Sequence, residues 1–147
     1  MKEYDYTFAD NSDKALQELA EKSDVILEAW GLEGERHAKE LVRTDTGLLK
    51  NSITHAIAGE SAAISSYRAD KPDASGNINT GEYSGTTEKQ GNEKAVYIGS
   101  NVSYAVPVET GHIKPDGTFT APHPYLKPAV ENYKDKYQEI AKRYLSE

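Results

Sequence analysis

The chain has 147 residues, 37% of them apolar and 28% charged, and a formal net charge of −7. Its length suits one domain of ~100–200 residues, and a mean hydropathy of −0.74 goes with a polar surface around a small core. No stretch approaches the ~20 apolar residues of a membrane span. With no cysteine, a disulfide framework and a Cys-ligated zinc site are both excluded. The opening Met1-Lys2-Glu3-Tyr4-Asp5 lacks an apolar h-region, which predicts no signal peptide and a soluble chain made in the cytoplasm. Residues 1–45 hold twelve acids and six bases, residues 46–130 eight and seven, and residues 131–147 four of each. A chain so charged does not neutralise phosphates, which argues against a conventional nucleic-acid binder.

Residues 1–147 read as a single domain, with residues 1–11 as an N-terminal arm. Over 12–43, Leu16, Leu19, Ile26, Trp30, Leu41 and Val42 recur at steps of three, four and seven, which predicts a long amphipathic helix. Asp10, Asn11 and Ser12 are N-cap candidates. Gly31 and Gly34 each lower helix propensity by ~1 kcal/mol, so a kink or break is expected there. Thr44-Asp45-Thr46-Gly47 stops the helix. Residues 52–69 read as a hairpin: Ile53, His55 and Ile57 alternate, Gly59-Glu60 turns, and Ala63 to Arg68 returns. Residues 70–94, polar and glycine-rich, read as a flexible loop or an exposed hairpin arm.

Ala95-Val96-Tyr97-Ile98-Gly99 is the clearest strand. Tyr104 to Glu109 fits a short helix with Pro107 in its first turn. Pro115-Asp116-Gly117 turns a second loop over 112–120, and Ala121-Pro122-His123-Pro124 is stiff and extended. A last helix runs from about Pro124 or Lys127 to Leu145, with Pro128 in its first turn and a stripe of Leu126, Val130, Tyr133, Tyr137, Ile140, Ala141 and Tyr144. The element order predicts an α+β fold: a small antiparallel sheet, a long N-terminal and a C-terminal helix packed on one face, and a protruding loop or hairpin.

Three constellations bear on chemistry. Asp45-Thr46-Gly47 is the tripeptide of aspartic proteases, whose paired carboxylates would require a dimer here. That motif follows an apolar strand, however, whereas here it follows a helix, so it reads first as a boundary turn capped by Asp45 or Thr46. Glu109, His112, Asp116 and His123 lie close enough in sequence to be weighed as metal ligands, but their spacing matches no short zinc motif. No G-x-S-x-G elbow, P-loop or G-x-G-x-x-G is present, and no catalytic, cofactor-binding or metal residue is assigned. Ten tyrosines against two phenylalanines and one tryptophan point to a subunit with extensive contacts, with Tyr83, Tyr133, Tyr137 and Tyr144 as interface candidates.

Three segments in order carry a resemblance. They are Asp45-Thr46-Gly47-Leu48-Leu49-Lys50-Asn51-Ser52-Ile53, then, after Val96-Tyr97-Ile98-Gly99, Tyr104-Ala105-x-x-Val108-Glu109-Thr110-Gly111, then Ala121-Pro122-His123-Pro124-Tyr125-Leu126-Lys127-Pro128-Ala129. Together they resemble the neck and tail-completion (head–tail joining, minor tail) proteins of tailed bacteriophages, over residues 12–145. The departures are Tyr125 in place of the usual Phe, His112 after Gly111 in place of Thr, and a longer 70–94 segment. The resemblance implies a non-enzymatic virion protein without cofactor: a ring, commonly hexameric, between the head connector and the tail tube or terminator, through which DNA passes without specific binding. A tail-terminator or other minor tail ring is the alternative it implies. The acids of residues 1–45 or 70–94 would suit the lumen of such a ring, because they repel phosphates.

Overall fold

The computed structural model describes residues 10–147; residues 1–9 of the expected arm lie outside them. Helix α1 (Ser12–Leu41) is one unbroken helix of 30 residues. Of the three cap candidates Asn11 takes the N-cap position without a side-chain cap bond, and Asp10 Oδ1, one residue earlier, accepts the Ser12 N–H at 2.9 Å. The expected break at Gly31 and Gly34 does not occur, and packing supplies the reason. A Cβ on Gly31 would stand 2.3 Å from the His55 ring, and one on Gly34 would stand 2.0 Å from Ile98 Cδ1. The two glycines let strands lie directly on the helix backbone. That contact outweighs a propensity cost of ~1 kcal/mol per glycine. The apolar stripe is covered only along the second half of the helix, where Ile26, Leu27, His37 and Ala38 are buried. Leu16 and Leu19 are 63% and 52% exposed.

Next come α2 (Leu48–Ser52), β1 (Thr54–Ile57), β2 (Ser66–Arg68), β3 (Thr80–Glu82) and β4 (Val96–Gly99). The hairpin expected over 52–69 forms its turn, with Glu60 N–H donating to Ile57 O at 2.8 Å, and one bond across it, Ala63 N–H to His55 O at 2.9 Å, but no strand ladder. Instead β1 pairs antiparallel with β4, His55 opposite Ile98 and Ala56 opposite Tyr97. Burial explains the choice. β1 is buried along most of its length and lies against α1, so its partner must be apolar too. Val96-Tyr97-Ile98 qualifies; the returning Ser65-Ser66-Tyr67-Arg68 does not. That returning segment becomes β2 and pairs with β3, Tyr67 opposite Gly81.

Residues 70–94 therefore supply the second strand of a small hairpin. They are also tied back to the body: Thr87 Oγ1 donates to Ile57 O at 2.9 Å and accepts the Gly59 N–H at 3.0 Å.

The chain continues with α3 (Ala105–Thr110), β5 (His112–Ile113), β6 (Phe119–Thr120), α4 (Leu126–Glu131) and α5 (Lys134–Leu145). The 112–120 loop closes as a two-residue ladder, Ile113 opposite Phe119. The single last helix expected from the stripe is two helices separated at Asn132 and Tyr133. The break lays the Tyr133 ring flat on His37, centroids 3.4 Å apart. From there α5 runs antiparallel along α1. Trp30 Nε1–H donates to Tyr137 O at 2.8 Å, and Lys22 Nζ donates to Glu147 O at 2.7 Å. Glu147 thus lies beside Lys22, and the first turns of α1 extend beyond the end of α5. The result is an α+β fold with a long N-terminal helix, small antiparallel ladders and C-terminal helices.

Candidate functional site

The three segments that carry the resemblance converge on one corner. Ala38 and Val42 of α1, Leu49 and Ile53 around α2, Ala105 of α3, and Tyr125 and Ala129 around α4 form one buried cluster. Tyr125 and Ile53 are fully buried. The Tyr125 hydroxyl donates to Ala105 O at 3.3 Å, and burial pushes its pKa up to about 12. Leu126 packs half-buried against the cluster.

Glu109 holds the corner together. Its Oε2 accepts the N–H of Tyr125 at 2.7 Å and of Leu126 at 3.0 Å, and its Oε1 accepts the N–H of Lys127 at 2.9 Å. A helix start leaves its first N–H groups without intrahelical partners. α4 has no capping side chain of its own, and Glu109 from α3 takes that place across a loop. Pro128 sits at the third position of α4, where its missing N–H costs nothing. Pro122 and Pro124 are exposed and stiffen the approach to this start.

The 45–47 segment is also used structurally. Gly47 has φ +86°, and a Cβ there would meet Asp70 Oδ2 at 2.4 Å, so only glycine fits the close turn. Thr46 O accepts the N–H groups of Asp70 and Lys71 at 2.9 and 3.0 Å, and Thr46 Oγ1 accepts the Leu48 N–H at 3.4 Å. Gly47 is the N-cap residue of α2, and of the two residues offered as caps, Asp45 or Thr46, only Thr46 places a side-chain oxygen on the helix start. Asp45 is exposed and accepts no hydrogen bond among the described residues. Ser52 Oγ donates to Leu49 O at 2.6 Å, closing α2. At the other end of α3, Tyr104 is 41% exposed. Gly111 has φ +78°, and Thr120 O would stand 2.8 Å from a Cβ there.

A cleft of about 670 Å³ opens between these segments, lined by Arg43, Asp45, Lys50, Tyr104, His112 and His123 among others. Arg43 Nη1 donates to His123 Nε2 at 2.9 Å, which occupies that lone pair and leaves no imidazole base facing the cleft from this nitrogen. Of the four residues weighed as metal ligands, Glu109 is committed to α4. His112 and Asp116 are exposed, and Asp116 Oδ1 accepts the Thr118 N–H at 2.9 Å. Among the described residues no group of three or more His, Asp or Glu is placed to hold a metal ion, and no helix is long and apolar enough to cross a membrane.

Tyr83, Tyr133 and Tyr137 make intramolecular contacts. Tyr83 OH donates to Ser52 O, Tyr133 stacks on His37, and Tyr137 OH donates to Ala129 O at 2.8 Å. Tyr144 is half-buried, with the Arg143 guanidinium 5.5 Å from its ring centre. The conspicuous exposed apolar side chains lie elsewhere: Leu16 and Leu19 on α1, Val106 on α3 (69%), and the cross-strand pair Ile113 and Phe119 (73% and 64%).

A second polar centre escaped the sequence reading, which took His55 as one member of an alternating strand. His55 is 2% exposed. Its Nδ1 lies 2.8 Å from Glu35 Oε2 and its Nε2 2.9 Å from Glu28 Oε1. Only the doubly protonated ring can donate on both sides. Hydrogen bonding to Glu35 raises the His55 pKa against the opposing effect of burial, with Glu28 adding to the rise. Burial tends to raise the Glu35 pKa, but His55 and Lys39 (2.5 Å away) together hold it below the usual value. One signal was available: Glu28, Gly31 and Glu35 share one helix face at spacings of three and four.

No protein-family model matches this chain, and no curated protein or solved structure matches it.

Proposed function

We propose that this chain is a structural subunit of a tailed-phage virion, of the neck or tail-completion type. It would assemble with copies of itself into a ring, hexameric as is common in the family it resembles, between the head connector and the tail tube. The observation that carries the reading is the use made of the three resembling segments. Leu49, Ile53, Ala105, Tyr125 and Ala129 pack in one core cluster, and Glu109 is committed to three backbone N–H groups. These residues maintain a shape and present no reacting group. A subunit of this kind needs unlike patches that meet on neighbouring copies. Exposed Leu16, Leu19, Val106, Ile113 and Phe119 are apolar surface of that sort.

DNA would pass through without specific binding, in keeping with the chain's net charge of −7. The test is the mass of the purified protein in solution, alone and after mixing with phage connectors. A ring, or a monomer that becomes a ring on the connector, is the expected result. A monomer or dimer indifferent to connectors would overturn the reading.

A further inference from the structure

Helix α1 carries a seam that is only half covered. Leu16, Leu19, Ser23, Ile26 and Trp30 follow one another at alternating steps of three and four, and His37 continues the line two turns on. The second half of the seam faces the C-terminal helices, where Trp30 bonds to Tyr137 and His37 stacks on Tyr133. α5 stops at Leu145, and Glu147 just beyond it lies beside Lys22. Residues 12–21 of α1 therefore stand ~15 Å past this cover, at ~1.5 Å per residue, with Leu16 and Leu19 exposed. The uncovered stretch continues the track on which α5 lies, so a second helix fits it.

This stretch is complementary to itself. Ser12-Asp13-Lys14-Ala15-Leu16-Gln17 is followed by Glu18-Leu19-Ala20-Glu21-Lys22-Ser23. In two copies laid antiparallel about a two-fold axis between Gln17 and Glu18, Leu16 of one comes level with Leu19 of the other. Ala15 likewise comes level with Ala20, and Ser12 with Ser23. The leucines alternate across the seam, and the alanines beside them let the helices approach closely. Asp13 comes level with Lys22 and Lys14 with Glu21, so none of these charges is level with its like.

Orientation follows from what already fills the seam. In a parallel pair, both copies of α5 would claim the space between the two α1 helices. In the antiparallel pair the two bodies stand at opposite ends. The tip of each α1 then reaches the level of Ser23, about where the neighbour's α5 stops.

We infer that residues 12–23 of α1 pair antiparallel with the same residues of a second copy, with Leu16 and Leu19 of each at the centre of the contact. Each seam is then covered along its whole length, by its own α5 and by its neighbour's tip. The inference does not rest on the ring reading. A contact with two-fold symmetry closes on itself. It makes dimers of free subunits or joins two rings face to face, and it leaves Val106, Ile113 and Phe119 for contacts between unlike patches.

The contact is small, two leucines and two alanines from each copy, so the association is a weak one, and sedimentation across a range of concentrations reads it. Leu16→Gln with Leu19→Gln keeps helix propensity. It should weaken the association at least about a hundredfold and so halve the mass of whatever the parent chain forms. Orientation is read by crosslinking, for which the absence of cysteine gives a clean background. Chains carrying Ser12→Cys are mixed with isotope-labelled chains carrying Ser23→Cys and treated with a short bis-maleimide. Products joining a labelled to an unlabelled chain are expected, because like positions stand ~16 Å apart along the antiparallel pair. Products joining like chains overturn the inference. So does a parent chain that is monomeric up to ~1 mM. An assembly whose mass the two glutamines leave unchanged, with helix content kept, also overturns it; if that assembly is a ring, the ring reading stands without this contact.

Discussion

Two carboxylate joints hold this fold together, and they work on different physics. At the Glu109 joint one side chain accepts three backbone N–H groups at the start of α4. Its donors are neutral and permanent. At the His55 joint a buried ring lies between Glu28 and Glu35 and fastens β1 to α1. Its donors exist on both sides only while the ring carries two protons. The first joint fixes where a helix begins; the second fixes how close a strand lies to a helix. The donors of the first joint are backbone N–H groups that keep their protons, whereas the ring of the second joint titrates.

The largest effect should come from removing the ring. His55→Ala leaves Glu35 half-buried with Lys39 as its remaining partner, and opens a cavity beside Gly31. Breaking such a pair together with the cavity should cost about 3–5 kcal/mol, read as the midpoint of urea unfolding. A loss under about 1 kcal/mol would mean that the clamp contributes little and the strand is held by apolar contact alone. Glu109→Ala should follow at about 2–3 kcal/mol, within the upper range for a lost cap and charged hydrogen bonds. Glu109→Gln keeps one acceptor oxygen and should recover part of the loss. A Glu109→Ala chain as stable as the parent, and still assembling, would show that the joint is dispensable.

A smaller effect tests the closeness of strand to helix. Gly31→Ala gains ~1 kcal/mol of helix propensity. It also drives a methyl group to 2.3 Å from a ring held at both nitrogens. Overpacking costs ~1–3 kcal/mol, so the net loss should be about 1–2 kcal/mol. Gly34→Ala meets instead the flexible end of Ile98 and should cost less. If Gly31→Ala is the milder of the two, the His55 ring is free to move and the clamp is looser than its distances imply.

The two joints also differ in how readable they were. Glu109 lies in a compact segment with Tyr104, Ala105 and Gly111, and the last helix announces its start through Pro128. Short-range pattern marked the start of the last helix, but it placed the Glu109 hydrogen bonds within the 104–111 corner, whereas its three N–H partners lie sixteen to eighteen residues further on. The His55 joint brings together residues 28, 35 and 55, and β1 finds its partner about forty residues further on. No local pattern encodes such pairings. Gly31 and Gly34 were misread for the same reason: local propensity makes them breakers, and their long-range role is to admit His55 and Ile98. The apolar stripe of α1 was legible along its whole length, but its coverage depends on where α5 ends, beside Lys22. Leu16 and Leu19 therefore face water, and pattern alone could not separate a stripe that is buried from one that awaits a neighbour.

The smallest effect concerns pH, and its sign separates the two joints. The folded His55 pKa lies above its ordinary value of about 6.5. A group raised on folding contributes stability that is complete below the unfolded pKa and is lost as pH rises through the folded one. Glu35, lowered on folding, contributes stability that is present above its unfolded pKa and is lost as pH falls through the folded value. The clamp is therefore strongest in mildly acidic solution, between the ordinary Glu and His values of about 4.5 and 6.5. The parent chain should lose stability as pH rises from about 6 toward 9, and His55→Gln should remove most of that slope, because glutamine has no proton to lose in this range. Glu109→Gln, tested beside it, should be less stable throughout and keep the parent's slope. If both variants keep the slope, another group sets it and the ring between Glu28 and Glu35 is not the titrating clamp; if both lose it, the two joints share one titration and the contrast between them fails.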